Sequence, residues 1–488
     1  MTDAAPNARA DARSSAPTQA AAPAVDWDAA TDGLVLMMRE LIRIPSINPP
    51  PPHAPDGELV AARYLAGVLE AAGLEPEVIE PVPGRGSVHV RLRGDGTGGD
   101  PLLLLSHLDV VPAPPERWTH APFGADLADG YVYGRGAVDM KGMVAMELAV
   151  VLRLAADARA DGLDPANDPI PGLRRDVLFT CTADEEAGGL AGAKWIVDHR
   201  PDWLSAAGAI NESGAVSTTV AGVRFYPIGV SEKGYAAYRI RVRGTWGHGS
   251  MPREDNAAVL AAEVIGRLAG PEPTRLTPVM ARFLASAEAA LPSGPARVAR
   301  ALAAGDDALG QATLDGLCDP RDSIALRALL RDTISPDVVH AGVKYNVIPG
   351  DAEIEVDCRV LPGTTEPAIR ARLVERLGPE LAAACTIELL VWGEPVEAPA
   401  DSALFRIMDE TIRAHDPDGV PLPVMVPFAT DAKHTAELGI PTYGFSPLRF
   451  EADERLLDRF HGVDERVSVA ALRWGLPVLY DVVRRFCA

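Results

Sequence analysis

Cysteine is scarce in this chain of 488 residues, and the few cysteines form no recognisable pattern. They are scattered and odd in number, and no Cys-x-x-Cys spacing occurs among Cys181, Cys318, Cys358, Cys385 and Cys487. This argues against a disulfide scaffold and a thiolate metal site. We expect a reduced compartment, in which these side chains act as small buried apolar groups.

Long apolar runs and positive charge are missing as well. No stretch of about 18 apolar residues is present to span a bilayer. Residues 1–26 are rich in Ala, Pro, Ser and Asp and lack the apolar core of a signal peptide, so we expect a disordered tail there. With 46 basic and 68 acidic residues, the formal net charge is −22, which argues against nucleic acid or an anionic membrane as a partner. These absences predict a cytoplasmic globular protein.

What the chain does contain is an alternation of helical and strand-like patterns. Helices are predicted at 32–43, 58–72, 142–155 and 191–199, and strands at 77–79, 88–92, 102–106 and 176–182. Such alternation predicts an α/β layer with a mixed, mostly parallel sheet flanked by helices.

The pattern changes after about residue 232. A β-α-β-β-α-β order follows, interrupted by a long helical insert at 271–333, and it predicts a compact α+β domain. Because α/β character then returns, this second domain is expected to be inserted into the first. The predicted organisation is a tail at 1–26, a catalytic domain at 27–232 and 396–488, and an inserted domain at 233–395.

Histidines and carboxylates stand where several apolar runs end. They are His107 and Asp109, Asp139, the adjacent pair Glu185 and Glu186, then Glu212, and finally His461. The carboxyl ends of strands meet at one edge of an α/β sheet, where such proteins place their sites. Nitrogen and oxygen donors of these types suit a pair of zinc ions.

These residues can be divided between two metals. We assign His107 and Glu212 to one ion and Glu186 and His461 to the other, with Asp139 bridging both through its two oxygens. Taken singly, each residue has an ordinary structural explanation, since lone histidines pack in many cores and adjacent glutamates commonly begin helices. Spacing alone leaves the metal site and the structural explanation both open.

Two neighbouring carboxylates receive other roles. Asp109 is two residues from His107 on a strand end, so both side chains share a face. We expect Asp109 to accept a hydrogen bond from the second ring nitrogen of His107 and thereby fix its tautomer. Glu185 lies next to Glu186 but has no metal assigned to it, so we expect it to act as general base on a metal-bound water.

Several segments resemble the signature of one large family of dizinc metallopeptidases. They read SHLDVVP at 106–112, GRGAVDMKG at 134–142, ADEE at 183–186, NE at 211–212 and HGVDER at 461–466. The family contains the aminoacylases, carboxypeptidase G, carboxypeptidase S and succinyl-diaminopimelate desuccinylase. The resemblance runs in order from about residue 30 to 485, and all five expected ligand positions carry acceptable residue types. The insert before residue 333 most resembles the carboxypeptidase S and N-acyl amino acid hydrolase branch.

The resemblance also assigns roles to the inserted domain, which it implies is a lid and dimerisation domain. His248 resembles the histidine that reaches into the partner subunit's active site and polarises the scissile carbonyl, although Gly249 replaces the usual serine. Asn346 resembles a residue that contacts substrate near the same oxygen. Arg359 resembles the arginine that binds the substrate's free carboxylate, and Gly444 resembles a source of backbone donors to that group.

One further segment departs from the family pattern. The sequence TDAKH at 430–434 has Lys433 where the family has arginine. His434, in the same segment, is expected to line the active site without binding metal.

The resemblance implies a zinc-dependent hydrolase with two Zn²⁺ per subunit, for which Co²⁺ or Mn²⁺ can substitute. Its small-molecule substrate would be an N-acyl amino acid or small peptide with a free carboxylate, cleaved by a metal-bridging water that Glu185 activates. A carboxypeptidase or dipeptidase of the same family is the alternative, and a catalytically silent metal-binding relative is a third hypothesis. A homodimer formed through the lid is expected, without nucleic acid or membrane as partner.

Overall fold

A computed structural model describes residues 25–49, 56–305, 320–452, 454 and 459–488. Residues 1–24 of the predicted tail and Cys318 lie outside the described residues. The other four cysteines are unpaired, and three of them are buried.

Helices and strands alternate along most of the chain. The helices are α1 (Trp27–Arg43), α2 (Gly57–Ala71), α3 (Lys141–Ala160), α4 (Ala193–His199), α5 (Ala257–Leu268), α6 (Pro278–Ala290), α7 (Ser293–Ala303), α8 (Pro320–Ala328), α9 (Glu366–Ala383), α10 (Ala403–His415), α11 (Ala432–Thr435) and α12 (Val469–Cys487).

The strands are β1 (Glu77–Val82), β2 (Arg85–Leu92), β3 (Leu102–His107), β4 (Leu127–Ala128), β5 (Tyr131–Tyr133), β6 (Val177–Thr182), β7 (Gly208–Asn211), β8 (Thr218–Val220), β9 (Val223–Glu232), β10 (Gly234–Arg243), β11 (Gly247–His248), β12 (Thr333–Ala341), β13 (Val347–Ile348), β14 (Asp351–Val360), β15 (Cys385–Gly393), β16 (Val396–Glu397), β17 (Val420–Val426), β18 (Thr442–Gly444) and β19 (Arg466–Ser468).

Among the described residues, ten strands form one large mixed sheet. Its order is β1-β2-β6-β3-β7-β18-β9-β16, and β8 and β17 also pair with β9. The neighbours β6, β3, β7 and β18 run parallel, whereas β1, β2, β8 and β16 pair antiparallel. Strands β3 and β6 are buried along their whole length, as expected for parallel strands covered on both faces. The predicted mixed α/β fold is confirmed.

Amphipathic helices cover this sheet. In α1 the buried residues Leu34, Met38 and Leu41 recur at helical spacing, and the Asp26 side chain caps the helix by accepting from the Ala29 amide. Together with α3, α10 and α12, this helix encloses the main hydrophobic core. A smaller hydrophobic core contains Trp203 together with Ile196 and Val197 of α4.

The inserted segment builds a second sheet with a core of its own. Its antiparallel order is β12-β14-β10-β15, and α5 and α9 pack against it, so the chain order is the predicted β-α-β-β-α-β. The helices α6 and α7 also fall within 233–395, but α6 packs on β17 and β9 and α7 packs on α6. Met280 and Leu284 of α6 join the core of the large sheet. In the described part of the chain, no helix is long and apolar enough to cross a bilayer. The cytoplasmic location stays a prediction.

Candidate metal centre

Three parallel neighbours of the large sheet carry their candidate ligands to one edge. His107 ends β3, Glu185 and Glu186 follow β6, and Glu212 follows β7. A tight turn after β6 reverses the chain at Asp184, whose φ is +68°. Since parallel strands end at the same edge, residues distant in sequence converge there.

Five side chains form two groups with the geometry of metal ligands. His107, Asp139 and Glu212 form one group, and Asp139, Glu186 and His461 form the other; the donor atoms of each group lie within 4.8 Å of one another. Asp139 belongs to both groups. These are the five residues that the sequence singled out as ligands, and the structure divides them into the same two sets.

The distances show how Asp139 stands between the two histidines. Its Oδ1 lies 3.0 Å from Nε2 of His107, and its Oδ2 lies 3.3 Å from Nε2 of His461. Glu212 approaches His107 at 3.7 Å, and Glu186 approaches His461 at 3.3 Å. One carboxylate oxygen is therefore directed to each half of the centre.

The many carboxylates in this site shift the pKa values of its histidines and of Glu212. Burial alone disfavours a charged imidazole, but Asp109 and Asp139 outweigh it and raise the pKa of His107 well above its usual value. Hydrogen bonds that the His461 ring donates to Asp139 and Glu186 raise the pKa of His461 to about 10. Burial and the charge of Asp139 raise the pKa of Glu212 well above its usual value. The cluster of carboxylates therefore favours positively charged groups at this site.

Asp109 contacts His107 and also makes contacts that the sequence did not predict. The ring Nδ1 of His107 donates to the backbone carbonyl of Asp109 at 3.0 Å, while the carboxylate lies farther away at 3.4 Å. That carboxylate accepts from the backbone amides of Glu185 (3.1 Å) and Glu186 (2.9 Å) and from Nδ2 of Asn48 (2.8 Å). The carboxylate–histidine contact expected from the sequence is thus present as the longer of two contacts of Nδ1, and its role in fixing the tautomer of His107 stays a prediction. The same carboxylate also holds the turn that carries the two glutamates.

The ion pair between Arg135 and Glu465, which the sequence analysis did not predict, holds the backbone of the candidate ligands Asp139 and His461. Glu465 accepts from the backbone amides of Val138 and Asp139 and pairs with Arg135 at 2.6 Å. Arg135 also donates to the backbone carbonyl of His461. Arg135 and Glu465 lie in the family-like segments 134–142 and 461–466, so their position in the sequence could have indicated this ion pair.

Glu185 and Glu186 point into different surroundings. Oε1 of Glu185 lies 3.5 Å from Nζ of Lys433, and burial raises the pKa of this glutamate to about 8 although Lys433 opposes the shift. Oε1 of Glu186 is buried without a hydrogen-bond partner among the described residues. An unpartnered buried carboxylate oxygen is costly unless a cation or donor reaches it.

The segment that carries Lys433 is held by its neighbours. Thr430 donates to Glu232 through its backbone amide at 2.8 Å, and Asn211 donates to the Thr430 hydroxyl at 2.9 Å. His434 contacts the Gly188 carbonyl through Nε2 at 2.9 Å and belongs to neither ligand group. It lies beside the glutamate turn, and its place in the lining of the active site stays a prediction.

His248 and Asn346 lie together on the inserted domain. Strands β11 and β13 pair His248 with Val347, and the Gly249 amide donates to the Asn346 carbonyl at 2.9 Å. The Ser250 amide donates to Nδ1 of His248 at 3.2 Å and the Ser250 hydroxyl lies 2.8 Å from the same nitrogen, which favours the tautomer with its proton on Nε2. His248 is exposed, and no hydrogen bond or ion pair joins it to a ligand within the described ranges.

Arg359 and Gly444 also occupy separate elements. Arg359, on β14, pairs with Asp357 at 2.9 Å and lies over the ring of Tyr235. Gly444 ends β18 beside the metal ligands, where a Cβ atom would come within 2.7 Å of the Glu212 carbonyl, so only glycine fits. A cavity of about 30 Å³ lies between Gly444 and Glu212.

Comparison with known proteins agrees with this geometry. Residues 103–485 match the family model described as Peptidase family M20/M25/M40. The probable carboxypeptidase S-like 2 of Dictyostelium discoideum is 27% identical over 399 residues, covering 79% of this chain and 71% of that protein. Aminoacylase-1 of Sus scrofa is 26% identical over 465 residues, covering 91% and 96%.

A solved structure shares the fold. The M20 family metallo-carboxypeptidase of Sulfolobus solfataricus aligns with a TM-score of 0.68 and 18% identity, over 93% of this chain and 99% of that one. The resemblance inferred from the motifs is thereby confirmed. The chain belongs to peptidase family M20/M25/M40 and is a hydrolytic enzyme with a candidate metal centre.

Proposed function

We propose that this protein hydrolyses the amide bond of N-acyl amino acids that carry a free carboxylate, using two zinc ions. The observation that carries the proposal is the membership of Asp139 in two three-ligand groups. Similarity to aminoacylase-1 favours acyl amino acids, and similarity to carboxypeptidase S-like 2 keeps small peptides as the alternative substrate.

The residues at the centre fit two zinc ions. Each group offers one imidazole nitrogen and two carboxylate oxygens, which is a donor set that zinc accepts while leaving room for substrate. The unpartnered oxygen of Glu186 and the raised pKa of Glu212 both fit a site that binds a cation. When bound, the ions would lower the pKa of water and polarise the substrate carbonyl.

Glu185 is the proposed general base. It removes a proton from the attacking water and later delivers that proton to the departing amine. Asp109 holds the backbone of Glu185 and Glu186 through their amides, so the base and a ligand keep a fixed spacing. Lys433 faces the carboxylate of Glu185 and favours its ionised form.

His248 and Asn346 are proposed to act on the substrate oxygen. Nε2 of His248 could donate to the oxyanion, and Nδ2 of Asn346 would be the second donor, because Oδ1 of this side chain can only accept. Because His248 makes no contact with the ligands of its own chain, we propose that it completes the site of a second subunit.

The surface around His248 supports a homodimer through the lid. The exposed apolar side chains Trp246, Met251, Val343 and Tyr345 flank the two short strands that hold it, and Tyr345 is 95% exposed. A cluster of aromatic and apolar side chains on one surface is typical of a protein interface.

Arg359 and Gly444 are proposed to bind the substrate's carboxylate. The guanidinium of Arg359 offers a planar pair of donors that match a carboxylate. Its ion pair with Asp357 is partly exposed and can be exchanged for one with substrate. Gly444 lets the backbone approach closely beside Glu212.

Turnover by purified, zinc- or cobalt-loaded protein would test the proposal on matched N-acyl amino acids and dipeptides. Glu185→Gln is the control, expected to retain metal and to lose activity by about 10²–10⁴-fold. Cleavage of acyl amino acids alone supports the proposal, and cleavage of dipeptides alone replaces it with the peptidase alternative. Two bound metals without turnover of either class would favour a silent relative.

A further inference from the structure

A large apolar cavity lies beside the catalytic sheet, apart from the metal centre. Its volume is about 230 Å³, and none of its lining residues is a candidate ligand. One wall comes from β8, β9 and β17, and the opposite wall from the helices α6, α7 and α8 of the long insert.

The lining is almost wholly hydrocarbon. Fourteen of the fifteen lining residues have apolar side chains, and the remaining one is Thr218. Phe225, Leu284 and Leu302 are nearly fully buried, so packing holds these parts of the wall in place. Ala287 and Ala299, on the facing helices, leave the space between the walls open because their side chains are short.

Such a cavity is unsuited to water. Interior voids larger than a water molecule are few in folded proteins, and a buried water needs two to four polar partners. One threonine hydroxyl does not supply them. An enclosed apolar cavity of about 150 Å³ is sufficient to bind benzene. This cavity is larger and partly open at the protein surface, so a longer apolar group could enter it.

We propose that this cavity binds a linear alkyl group of medium chain length. The absence of charged side chains from the described lining means that only the hydrocarbon part of a ligand is buried, with any polar end left outside. A bound alkyl group would make van der Waals contacts with both walls, which cannot contact each other across the cavity.

The alkyl group has two possible sources. Strand β9 lines this cavity at Phe225 and Pro227 and lines the small cavity beside Glu212 at 229–232. A substrate whose amide lies at the metals could therefore extend an acyl chain along β9, an assignment that rests on the proposed function. The other source is a free amphiphile that binds independently of catalysis.

Titration of the full-length, zinc-loaded protein with 1-octanol tests the site without requiring turnover. We expect saturable binding by calorimetry with one site per chain and a rise in the unfolding midpoint, whereas 1-butanol should leave both unchanged. An uncharged alcohol is used because a fatty carboxylate would also bind the metals. Failure of the wild-type protein to bind octanol saturably would overturn the proposal.

Matched variants locate the binding. Ala299→Phe and Ala287→Leu fill the cavity from separate helices and should weaken octanol binding about tenfold or more. Ala285→Phe, at an exposed position of α6, should bind as the wild type does. Equal binding by all folded variants would show that the alcohol binds elsewhere and would contradict the proposal. If one cavity-filling variant fails to fold, the other variant alone provides the test.

A chain-length comparison separates the two sources. If the acyl chain of substrate enters the cavity, Ala299→Phe should raise KM for an N-octanoyl amino acid but not for its N-acetyl counterpart. Equal KM changes for both would identify the ligand as a free amphiphile. Octanol binding without any hydrolysis would count against the proposed function alone.

Discussion

Nζ of Lys433 lies 3.5 Å from Oε1 of Glu185, and the two side chains are only 9% and 10% exposed. The pair joins the 430–434 segment to the glutamate turn after β6. Lysine at this position, where the family resemblance leads one to expect arginine, places a compact single charge against the proposed base.

Removal of that charge should impair the base. In Lys433→Met we expect kcat to fall by about 10–100-fold, because the cation favours the ionised form of Glu185. Losing the cation raises the pKa of Glu185, so activity should disappear at a higher pH as the solution is acidified. The measurement is the pH profile of kcat/KM, with metal content checked. Lys433→Arg should restore most of kcat; an unchanged acid limb in Lys433→Met would contradict this role.

Loss of the Asp139 carboxylate, which belongs to both ligand groups, should reduce metal binding more than loss of any other candidate ligand. Asp139→Asn is expected to lose both zinc ions, because one carboxylate serves both groups, whereas Glu212→Gln should chiefly weaken the ion held with His107. Metal content after dialysis measures this difference. Asp198→Asn, an exposed carboxylate on α4, is the matched control. Retention of two ions by Asp139→Asn would exclude the bridging role.

The trans arrangement of His248 predicts complementation. Neither His248→Ala nor Glu185→Gln homodimers should be active, but an equal mixture of the two proteins whose subunits combine at random should recover up to about a quarter of the activity of the wild type. One of the two sites in a mixed dimer then has both groups intact. The readout is turnover after the two proteins are mixed and heterodimers are verified. Confirmed heterodimers without activity would count against this arrangement.

A buried acid behind the metal centre predicts how stability depends on pH. Burial raises the pKa of Glu147 to about 8, and this carboxyl accepts a hydrogen bond from Ser106. The folded state therefore keeps a proton that the unfolded chain releases near pH 4.5, so the free energy of unfolding should fall as pH rises from 4.5 to 8. Glu147→Gln should flatten this decline, by an amount on the order of a few kcal/mol at the upper end. Denaturant unfolding at pH 5 and pH 8 measures the slope, and equal slopes in both proteins would refute the assignment.

The identity of the centre was largely readable from local sequence. His107, Asp139 and Glu186 stand in short segments whose residue types follow from the chemistry of metal binding, and the apolar runs before them predict the strands that end there. The family resemblance that these segments carry is confirmed. The roles of individual residues, the metal's identity and the dimer stay predictions.

Other contacts depend on distances that no local pattern encodes. The Asp109 carboxylate lies 3.4 Å from His107, as expected, but the same oxygens also accept from the amides of Glu185 and Glu186, which the sequence did not predict. Those amides come from a turn 76 residues away, which only the adjacency of β3 and β6 brings within reach.

The amino-acid sequence by itself determined which chemical groups are available and the alternation of elements that carries them, because side-chain chemistry and hydrophobic periodicity are local properties. Tertiary structure alone decided which groups meet. It placed Lys433 against Glu185, and it packed α6 on the large sheet and α7 on α6, which leaves an apolar cavity. Such contacts arise when strands and helices distant in the chain pack together to bury their apolar faces, and the polar groups at their ends follow.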